Sequence, residues 1–219
     1  MERIPVYMMP GLAASPVIFE RIRLDETQFE VHWLSWKIPL SGESLPDYAQ
    51  RMCQDIQHEN PVLIGVSFGG VLVQEMAAFV HPRKLIIVSS VKTQNEIPLR
   101  MRIIRNTKAY HLVPTRLLQN IEVLRPLAFN HALKLRFKLY EKYLSVRDKD
   151  YLEWAIFQML YWSRTVADEN VIHIHGDADE VFPIENIQNC ITVPGGSHIM
   201  IVLRYRWFNE HLPKIILNE

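Results

Sequence analysis

Cysteine and long apolar runs are scarce in this sequence of 219 residues. Its two cysteines, Cys53 and Cys190, are too few for a disulfide framework, so we expect buried free thiols in a reducing compartment. No apolar run approaches the roughly 20 residues that a membrane-spanning helix needs. Residues 1–5 lack the apolar stretch of a secretory leader. These absences predict a protein without a membrane span that is located in the cytoplasm.

The sequence also lacks an excess of either charge. Its 24 lysines and arginines balance 24 aspartates and glutamates, and its isoelectric point lies near 7.1. Proteins that bind a polyanion usually carry a basic excess. We therefore expect no nucleic-acid partner.

What the sequence does contain is enough apolar material for one sizeable core, since 48% of its residues are hydrophobic. A chain of this length is short for two α/β domains, so we predict a single domain, 1–219, with one insertion. Short apolar runs alternate with helix-like runs, which predicts an α/β fold with a mostly parallel sheet. The strand candidates are 4–9, 29–36, 61–64, 85–88, 170–175 and 189–193.

The sequence GVSFG at 65–69 joins the third strand candidate to a helix-like run, 70–80. In a strand–turn–helix setting, Gly-x-Ser-x-Gly marks a turn so tight that side chains at the glycine positions would collide, and it pushes the serine above the sheet. Ser67 is therefore the candidate nucleophile. The motif also occurs as a plain glycine-rich turn, so the interpretation requires a base and an acid elsewhere in the chain.

Two loops late in the sequence supply those partners. Asp179 follows the fifth strand candidate, and His198 follows the sixth. Parallel strands deliver the loops at their C-terminal ends to one edge of a sheet. We therefore expect Ser67, Asp179 and His198 to converge although they are far apart in sequence.

Four motifs, taken in order, resemble the α/β-hydrolase superfamily. They are MPGL at 9–12, GVSFG at 65–69, HGxxD at 175–179 and GGSH at 195–198. The resemblance implies a serine hydrolase with Ser67 as nucleophile, Asp179 as acid and His198 as base, in the family's chain order. It also implies a sheet of about six strands flanked by helices, with a helical lid inserted between strands.

Two features depart from the family pattern. The first motif arrives near residue 10, which predicts a sheet that lacks the family's first two strands. Pro10 stands where members often have a histidine, which leaves the backbone donors of the loop in place.

Other carboxylates compete with Asp179 for the role of the acid. Asp177 and Glu180 lie on the same loop, and Glu96 follows the fourth strand candidate, where some members of the family carry their acid. Asp179 fits the family spacing best.

The first strand candidate is followed by a loop of small residues, 10–16. Such a loop can bring its backbone close to a ligand, so Gly11 is a candidate residue of the substrate pocket. We expect the amides of Leu12 and Phe68 to form an oxyanion hole, where losing one donor costs about 10²–10³ in rate. An ordinary strand-to-helix turn is the alternative.

The insertion, approximately 95–165, has no strand pattern and is broken by Pro98, Pro114 and Pro126. Two of its segments show helical spacing. The spaced residues are Leu133, Phe137, Tyr140 and Leu144 in the first, and Leu152, Ala155, Ile156 and Met159 in the second. Among the aromatic residues at 151–162, Trp154 and Tyr161 are candidates for an acyl pocket, with core packing as the alternative.

The insertion is also basic. Between Ile97 and Asp150, twelve lysines and arginines face four acidic residues, which gives a net charge of plus eight. A basic lid would attract an anionic substrate. We favour the alternative, in which these residues are the solvated outer faces of helices.

His173 and His175 alternate along the fifth strand candidate and have a spacing that metal ligands can adopt. Because no further ligand cluster accompanies them, we expect packed and hydrogen-bonded histidines and no metal site.

Acyl transfer to water is the activity that these residues favour, through an acyl-enzyme on Ser67 and without a cofactor. A small-molecule carboxylic ester or thioester is the expected substrate. A hydrolase-like protein that binds a ligand but turns over slowly or not at all is the alternative.

Overall fold

The structure, a computed structural model, describes residues 2–112, 139 and 141–218. In this part of the chain, six strands form one entirely parallel sheet in the order β2-β1-β3-β4-β5-β6. The strands are β1 (Ile4–Met9), β2 (Phe29–Trp33), β3 (Val62–Val66), β4 (Lys84–Val88), β5 (Val171–Gly176) and β6 (Ile191–Val193). The predicted sheet is confirmed.

Helices cover both faces of the sheet. They are α1 (Leu45–Met52), α2 (Phe68–Val80), α3 (Leu99–Asn106), α4 (Lys149–Tyr161), α5 (Met200–Leu203) and α6 (Tyr205–Leu217). On β3, Leu63 belongs to the core that contains residues of α1, α2 and α4, whereas Ile64 belongs to the core that contains residues of α5 and α6. Successive side chains of a strand point to opposite faces, so a strand covered on both sides must be apolar along its length.

Helix α1 begins as its sequence requires. Ser44 caps it by accepting a hydrogen bond from the backbone N–H of Asp47 at 3.3 Å. The helix ends at Met52, and a short 3-10 turn, Cys53–Asp55, follows it.

The order of the strands places a crevice beside β1. The chain leaves β1 for β2 on one side and returns to β3 on the other side. Ligands of open α/β sheets bind at such a reversal, outside the carboxyl ends of the strands. The loop after β1 and the turn after β3 both lie at this place.

Between β4 and β5 the described chain contains α3 and α4, and residues 89–112 and 141–170 include no strand. The helical insertion predicted at about 95–165 includes α3 and α4 and stays a prediction as a whole. Some residues of the sequence analysis lie outside the described residues. These are Leu133, Phe137 and Tyr140 of the helical pattern, two of the three prolines, Pro114 and Pro126, and Arg116, Arg125, Lys134, Arg136 and Lys138 of the basic set.

Both cysteines are free and half-buried, which is less burial than expected. Burial raises the pKa of the Cys53 thiol to about 11. Among the helices of the described chain, none combines the length and the apolar character that crossing a membrane requires.

Strand β5 buries two imidazoles, His173 and His175. Burial, with smaller contributions from His175 and Lys92, lowers the pKa of His173 to about 2. Burial also lowers the pKa of His175. Both side chains are therefore neutral inside the fold at neutral pH.

We expect these histidines to make the fold sensitive to mild acid. An unfolded histidine binds a proton below about pH 6.5, whereas folded His173 stays neutral down to about pH 2. The unfolded state then binds more protons, so the free energy of unfolding falls as the pH falls from about 6.5 to 4.5. Urea unfolding across this range measures the slope. His173→Gln should flatten it, and His211→Gln, on α6, should not; equal slopes in both variants would contradict the assignment.

Candidate active site

Ser67 lies on a sharp turn between β3 and α2. Its backbone has φ 53° and ψ −121°, a conformation that costs a non-glycine residue about 1–3 kcal/mol. The turn depends on two glycines: a Cβ on Gly65 would lie 2.3 Å from the carbonyl oxygen of Gly69, and a Cβ on Gly69 would lie 2.3 Å from that of Pro10. Only backbone fits at these contacts, so the glycine spacing has the mechanical cause that the sequence suggested.

The imidazole of His198 bridges the serine and a carboxylate. Its Nε2 lies 3.0 Å from Oγ of Ser67, and its Nδ1 lies 2.9 Å from Oδ2 of Asp179. With Nδ1–H donating to the carboxylate, Nε2 is free to accept the proton of the serine hydroxyl. Three residues separated by 112 and 19 positions thus form one hydrogen-bonded chain.

Asp179 is buried and held in place from three sides. Its Oδ1 accepts hydrogen bonds from the backbone N–H groups of Val181 at 2.8 Å and Phe182 at 2.9 Å, in addition to the contact with His198. Burial alone would raise the pKa of this carboxyl, but the hydrogen bond and charge of His198, together with the two N–H groups, outweigh it and hold the pKa below its usual value. The residue is therefore a carboxylate at neutral pH.

The loop that carries the acid and the loop that carries the base are fastened to each other. Asp177 accepts a hydrogen bond from the backbone N–H of Gly195 at 2.6 Å, and Ala178 N–H donates to the carbonyl of Gly196 at 3.0 Å. A Cβ on Gly176 would lie 2.0 Å from that same Gly196 oxygen, so the two backbones touch directly. Asp177 thus holds the loops together instead of contacting the imidazole.

The other two alternative acids, Glu96 and Glu180, do not hydrogen-bond His198 either, and Glu180 is exposed to solvent. Glu96 is buried and accepts hydrogen bonds from the backbone N–H groups of Lys92 and Gln188. Within the described residues, Asp179 is the carboxylate that hydrogen-bonds His198.

His173 and His175 are packed and hydrogen-bonded behind the acid. His175 Nε2 lies 2.8 Å from the carbonyl oxygen of Phe182 and must donate to it, so its Nδ1 accepts from Nε2–H of His173 at 3.1 Å. Phe182 also donates its N–H to Asp179 and packs its ring edge-on against that of His198. The two histidines therefore support the loop that orients the acid.

The loop after β1 faces the nucleophile, and a Cβ on Gly11 would lie 3.4 Å from Cβ of Ser67. The Gly11 carbonyl accepts hydrogen bonds from the indole N–H of Trp36 at 2.8 Å and from Ala14 N–H at 3.0 Å. In a trans peptide the N–H of Leu12 points opposite to that carbonyl, so Trp36 fixes the direction of the Leu12 donor. Sequence reasoning missed this role because the contact joins residues 25 positions apart.

Two further contacts connect the loop after β1 and the start of α2 to the residues around them. Trp36 stacks on the ring of Phe68 at 5.2 Å, and the Tyr151 hydroxyl accepts the N–H of Ala13 at 3.3 Å. The Phe68 N–H belongs to the first turn of α2, where amides have no intrahelical acceptor. Leu12 and Phe68 both line the cavity beside Ser67, and the oxyanion hole formed by their amides stays a prediction.

A cavity of about 290 Å³ opens beside Ser67 and His198. Gly11, Leu12 and Phe68 line it near Ser67. The rest of its described wall is almost entirely apolar. It includes Ile18, Met101, Leu144, Met159, Val181 and Val202.

Trp154 and Tyr161, the other candidates for the acyl pocket, are not among the described residues that line this cavity, and their contacts fit the alternative of packing. Trp154 donates its indole N–H to the carbonyl of Glu43 at 2.7 Å and packs on Tyr48. Tyr161 stacks on Phe157 at 4.5 Å on the outer side of α4. The helix turns Met159 toward the cavity instead.

No protein-family model and no curated protein sequence matches the chain. Solved structures do resemble it. A thermophilic esterase from Thermogutta terrifontis superposes with a TM-score of 0.71 at 15% identity, over 98% of this chain and 90% of that one. A bromoperoxidase from Bacillus anthracis gives 0.69 at 17% identity, over 100% and 93%. An enol-lactonase from Burkholderia xenovorans gives 0.68 at 12% identity, over 99% and 92%. Likeness of this extent at such identity shows a shared fold.

We expect Trp36→Phe to slow the reaction of Ser67 with a fluorophosphonate, whose phosphonyl oxygen needs the same donors as an oxyanion. The phenyl ring keeps the stacking on Phe68 but releases the Gly11 carbonyl, so the Leu12 N–H loses its fixed direction. Because losing a donor entirely costs about 10²–10³, we expect labelling to slow by about 10-fold to 100-fold.

Trp154→Phe is the matched control, since it also removes an indole N–H that holds a carbonyl. The rates of fluorophosphonate labelling of the two variants are measured by gel fluorescence, and circular dichroism checks that both variants are folded. Equal rates in the two variants would show that Trp36 does not orient a reactive donor.

Proposed function

Because the chain has the α/β-hydrolase fold, we propose that it is a serine hydrolase that cleaves a carboxylic ester or thioester. The observation that carries the proposal is the contact of 3.0 Å between Ser67 Oγ and His198 Nε2, in an imidazole already bonded to a buried carboxylate. Such an arrangement makes a hydroxyl nucleophilic, and a purely structural serine has no need of it.

Each side chain has a defined step in this reaction. Ser67 Oγ attacks the carbonyl carbon while His198 Nε2 takes its proton, and the imidazolium is stabilised by Asp179. His198 then returns the proton to the departing alcohol or thiol. Water, activated by the same imidazole, releases the acid and restores the serine.

The amides of Leu12 and Phe68 donate hydrogen bonds to the oxyanion that develops on the carbonyl oxygen of the substrate. The oxyanion also lies at the N-terminus of α2, a helix of 13 residues whose dipole favours negative charge at that end. Both sources are fixed before the reaction starts, so no reorganisation is needed when charge appears.

The acyl group occupies the apolar cavity. The described wall of the cavity contains no lysine or arginine, which favours a hydrocarbon acyl chain over an anionic one. Basic residues of the insertion make structural contacts: Arg100 donates to the carbonyls of Glu180 and Val181, and Lys142 pairs with Glu20. These contacts support a structural role for Arg100 and Lys142 instead of substrate steering.

The chain acts as one domain in this proposal, and the insertion at about 95–165 serves as its lid. Met101, Tyr143, Leu144 and Met159, all from the segment between β4 and β5, line the cavity. Acyl selectivity therefore depends on this segment.

The test of the reaction is a panel of acyl p-nitrophenyl esters and acyl thioesters of increasing chain length. Ser67→Ala should lower kcat by about 10³-fold or more, because the nucleophile is lost while binding remains. Ser41→Ala, at an exposed serine, is the matched control. Activity that survives in Ser67→Ala would refute the nucleophile. A folded wild-type protein that neither turns over nor labels with a fluorophosphonate would support the ligand-binding alternative.

Val202→Phe should shift the preferred acyl chain to a shorter one. Val202 is buried and lines the cavity, and the larger ring would fill space that a longer chain needs. Its neighbour Leu203 is 51% exposed and lies outside the described wall, so Leu203→Phe is the matched control. The ratio of kcat/KM for long and short esters measures the effect. An unchanged ratio in Val202→Phe would place the acyl chain elsewhere.

A further inference from the structure

We infer that Glu30, His32 and His58 form a binding site for a divalent transition-metal ion, and Zn²⁺ is the ion whose chemistry fits it best. Glu30 and His32 project from the same face of the edge strand β2, two residues apart. His58 lies in the loop that precedes β3. The candidate ligand atoms of all three lie within 4.8 Å of one another.

The spacing of these atoms matches that of ligands around one ion. Oε1 of Glu30 lies 3.2 Å from Nε2 of His32 and 3.7 Å from Nε2 of His58. In a tetrahedral Zn²⁺ site with bonds of about 2.0–2.2 Å, neighbouring ligand atoms are about 3.3–3.6 Å apart. Small side-chain adjustments would thus bring all three atoms to bonding distance.

An unsatisfied nitrogen points into this cluster. Nε2 of His32 is shielded from solvent and has no hydrogen-bond partner among the described residues, because its contact with Glu30 lacks hydrogen-bond geometry. Buried polar atoms are normally satisfied. A metal ion held between Glu30 and His32 would satisfy this nitrogen.

Neighbouring residues hold the ligands in position. Nδ1 of His58 lies 2.7 Å from the hydroxyl of Tyr7, and in the tautomer where Nδ1–H donates to that hydroxyl, Nε2 carries the free lone pair. Tyr7 stacks on His32 at 4.5 Å, and Arg3 binds the second carboxylate oxygen of Glu30, which leaves Oε1 for the ion. Metal-ligating histidines typically donate their other N–H in this manner.

The ligand set points to the type of ion. Two imidazoles and one carboxylate suit Zn²⁺ and its neighbours, whereas Mg²⁺ and Ca²⁺ prefer oxygen ligands alone. Three protein ligands leave a fourth position for water. A Glu-x-His pair and a histidine 26 residues later form no recognisable motif, so this cluster is not visible in the sequence, from which we expected no metal site.

The ion would fasten an edge strand to the body of the sheet. Strand β2 has one neighbour, β1, and His58 belongs to a loop on the far side of β1. Because the unfolded chain does not hold the ligands together, Zn²⁺ at concentration c would stabilise the folded state by RT ln(1 + c/Kd), which grows with the logarithm of its concentration over Kd.

The experiment is a titration of the full chain, stripped with EDTA, with ZnCl₂ by isothermal calorimetry, and with Co²⁺ as an optical probe of coordination. We expect one ion per chain, a d–d absorption typical of four or five ligands, and a melting temperature that rises with Zn²⁺. His58→Asn and Glu30→Gln should each weaken binding by about 100-fold or more, since even an orienting residue of a metal site is worth about 10–100-fold.

Two matched variants test whether the ion binds at this cluster. His81→Asn removes an exposed histidine at the end of α2, and His198→Asn removes the imidazole beside Ser67. Both should keep the wild-type affinity and stoichiometry. The inference is overturned if the wild type takes up no Zn²⁺ at millimolar concentration, if His58→Asn binds as tightly as His81→Asn, or if His198→Asn abolishes uptake.

Discussion

The site depends on one steric constraint, the contact of bare backbone with bare backbone around Ser67. Gly69 lies against the carbonyls of Met9 and Pro10, and Gly65 lies against Gly69. A methyl group at either position would force β3, α2 and the loop after β1 apart. Since the strain at Ser67 costs about 1–3 kcal/mol, the surrounding packing must over-determine the turn. Trp36 contributes to that packing, because it stacks on Phe68 and binds the Gly11 carbonyl.

Burial has opposite consequences for the two kinds of titratable group behind the serine. Asp179 keeps its charge because its carboxylate accepts hydrogen bonds from Val181 N–H, Phe182 N–H and the imidazole of His198. His173 and His175 lose theirs, since desolvation by burial, with a smaller contribution from neighbouring positive groups, lowers the pKa of both imidazoles. These two imidazoles are neutral, and His198 is the ionisable side chain in the described chain that hydrogen-bonds the carboxylate of Asp179. The two buried imidazoles of β5 also lower the free energy of unfolding when the pH falls.

Much of the fold, and the approach of Ser67, Asp179 and His198 to one another, could be predicted from the sequence for physical reasons. Parallel strands that are buried on both faces must be apolar throughout, and a strand–turn–helix with two glycines has few alternatives. Local signals of this kind placed Ser67 and His198 at one edge. Trp154 shows where such reasoning fails, because helical spacing reveals that a face is buried but not what it is buried against. The partners of Trp36 and His32 depend on strand ends and register, which no local pattern encodes.

The fastening of the acid loop to the base loop has a mechanical consequence. Asp179 and His198 lie on two loops whose backbones contact each other at Gly176 and Gly196. Ser67 lies between β3 and α2, outside these loops. A relative movement of these two segments would therefore change the distance from Ser67 Oγ to His198 Nε2 more than the distance from His198 to Asp179, because direct backbone contacts join the loops of the latter pair. In the proposed reaction, this distance between Ser67 Oγ and His198 Nε2 is the one across which the proton is transferred.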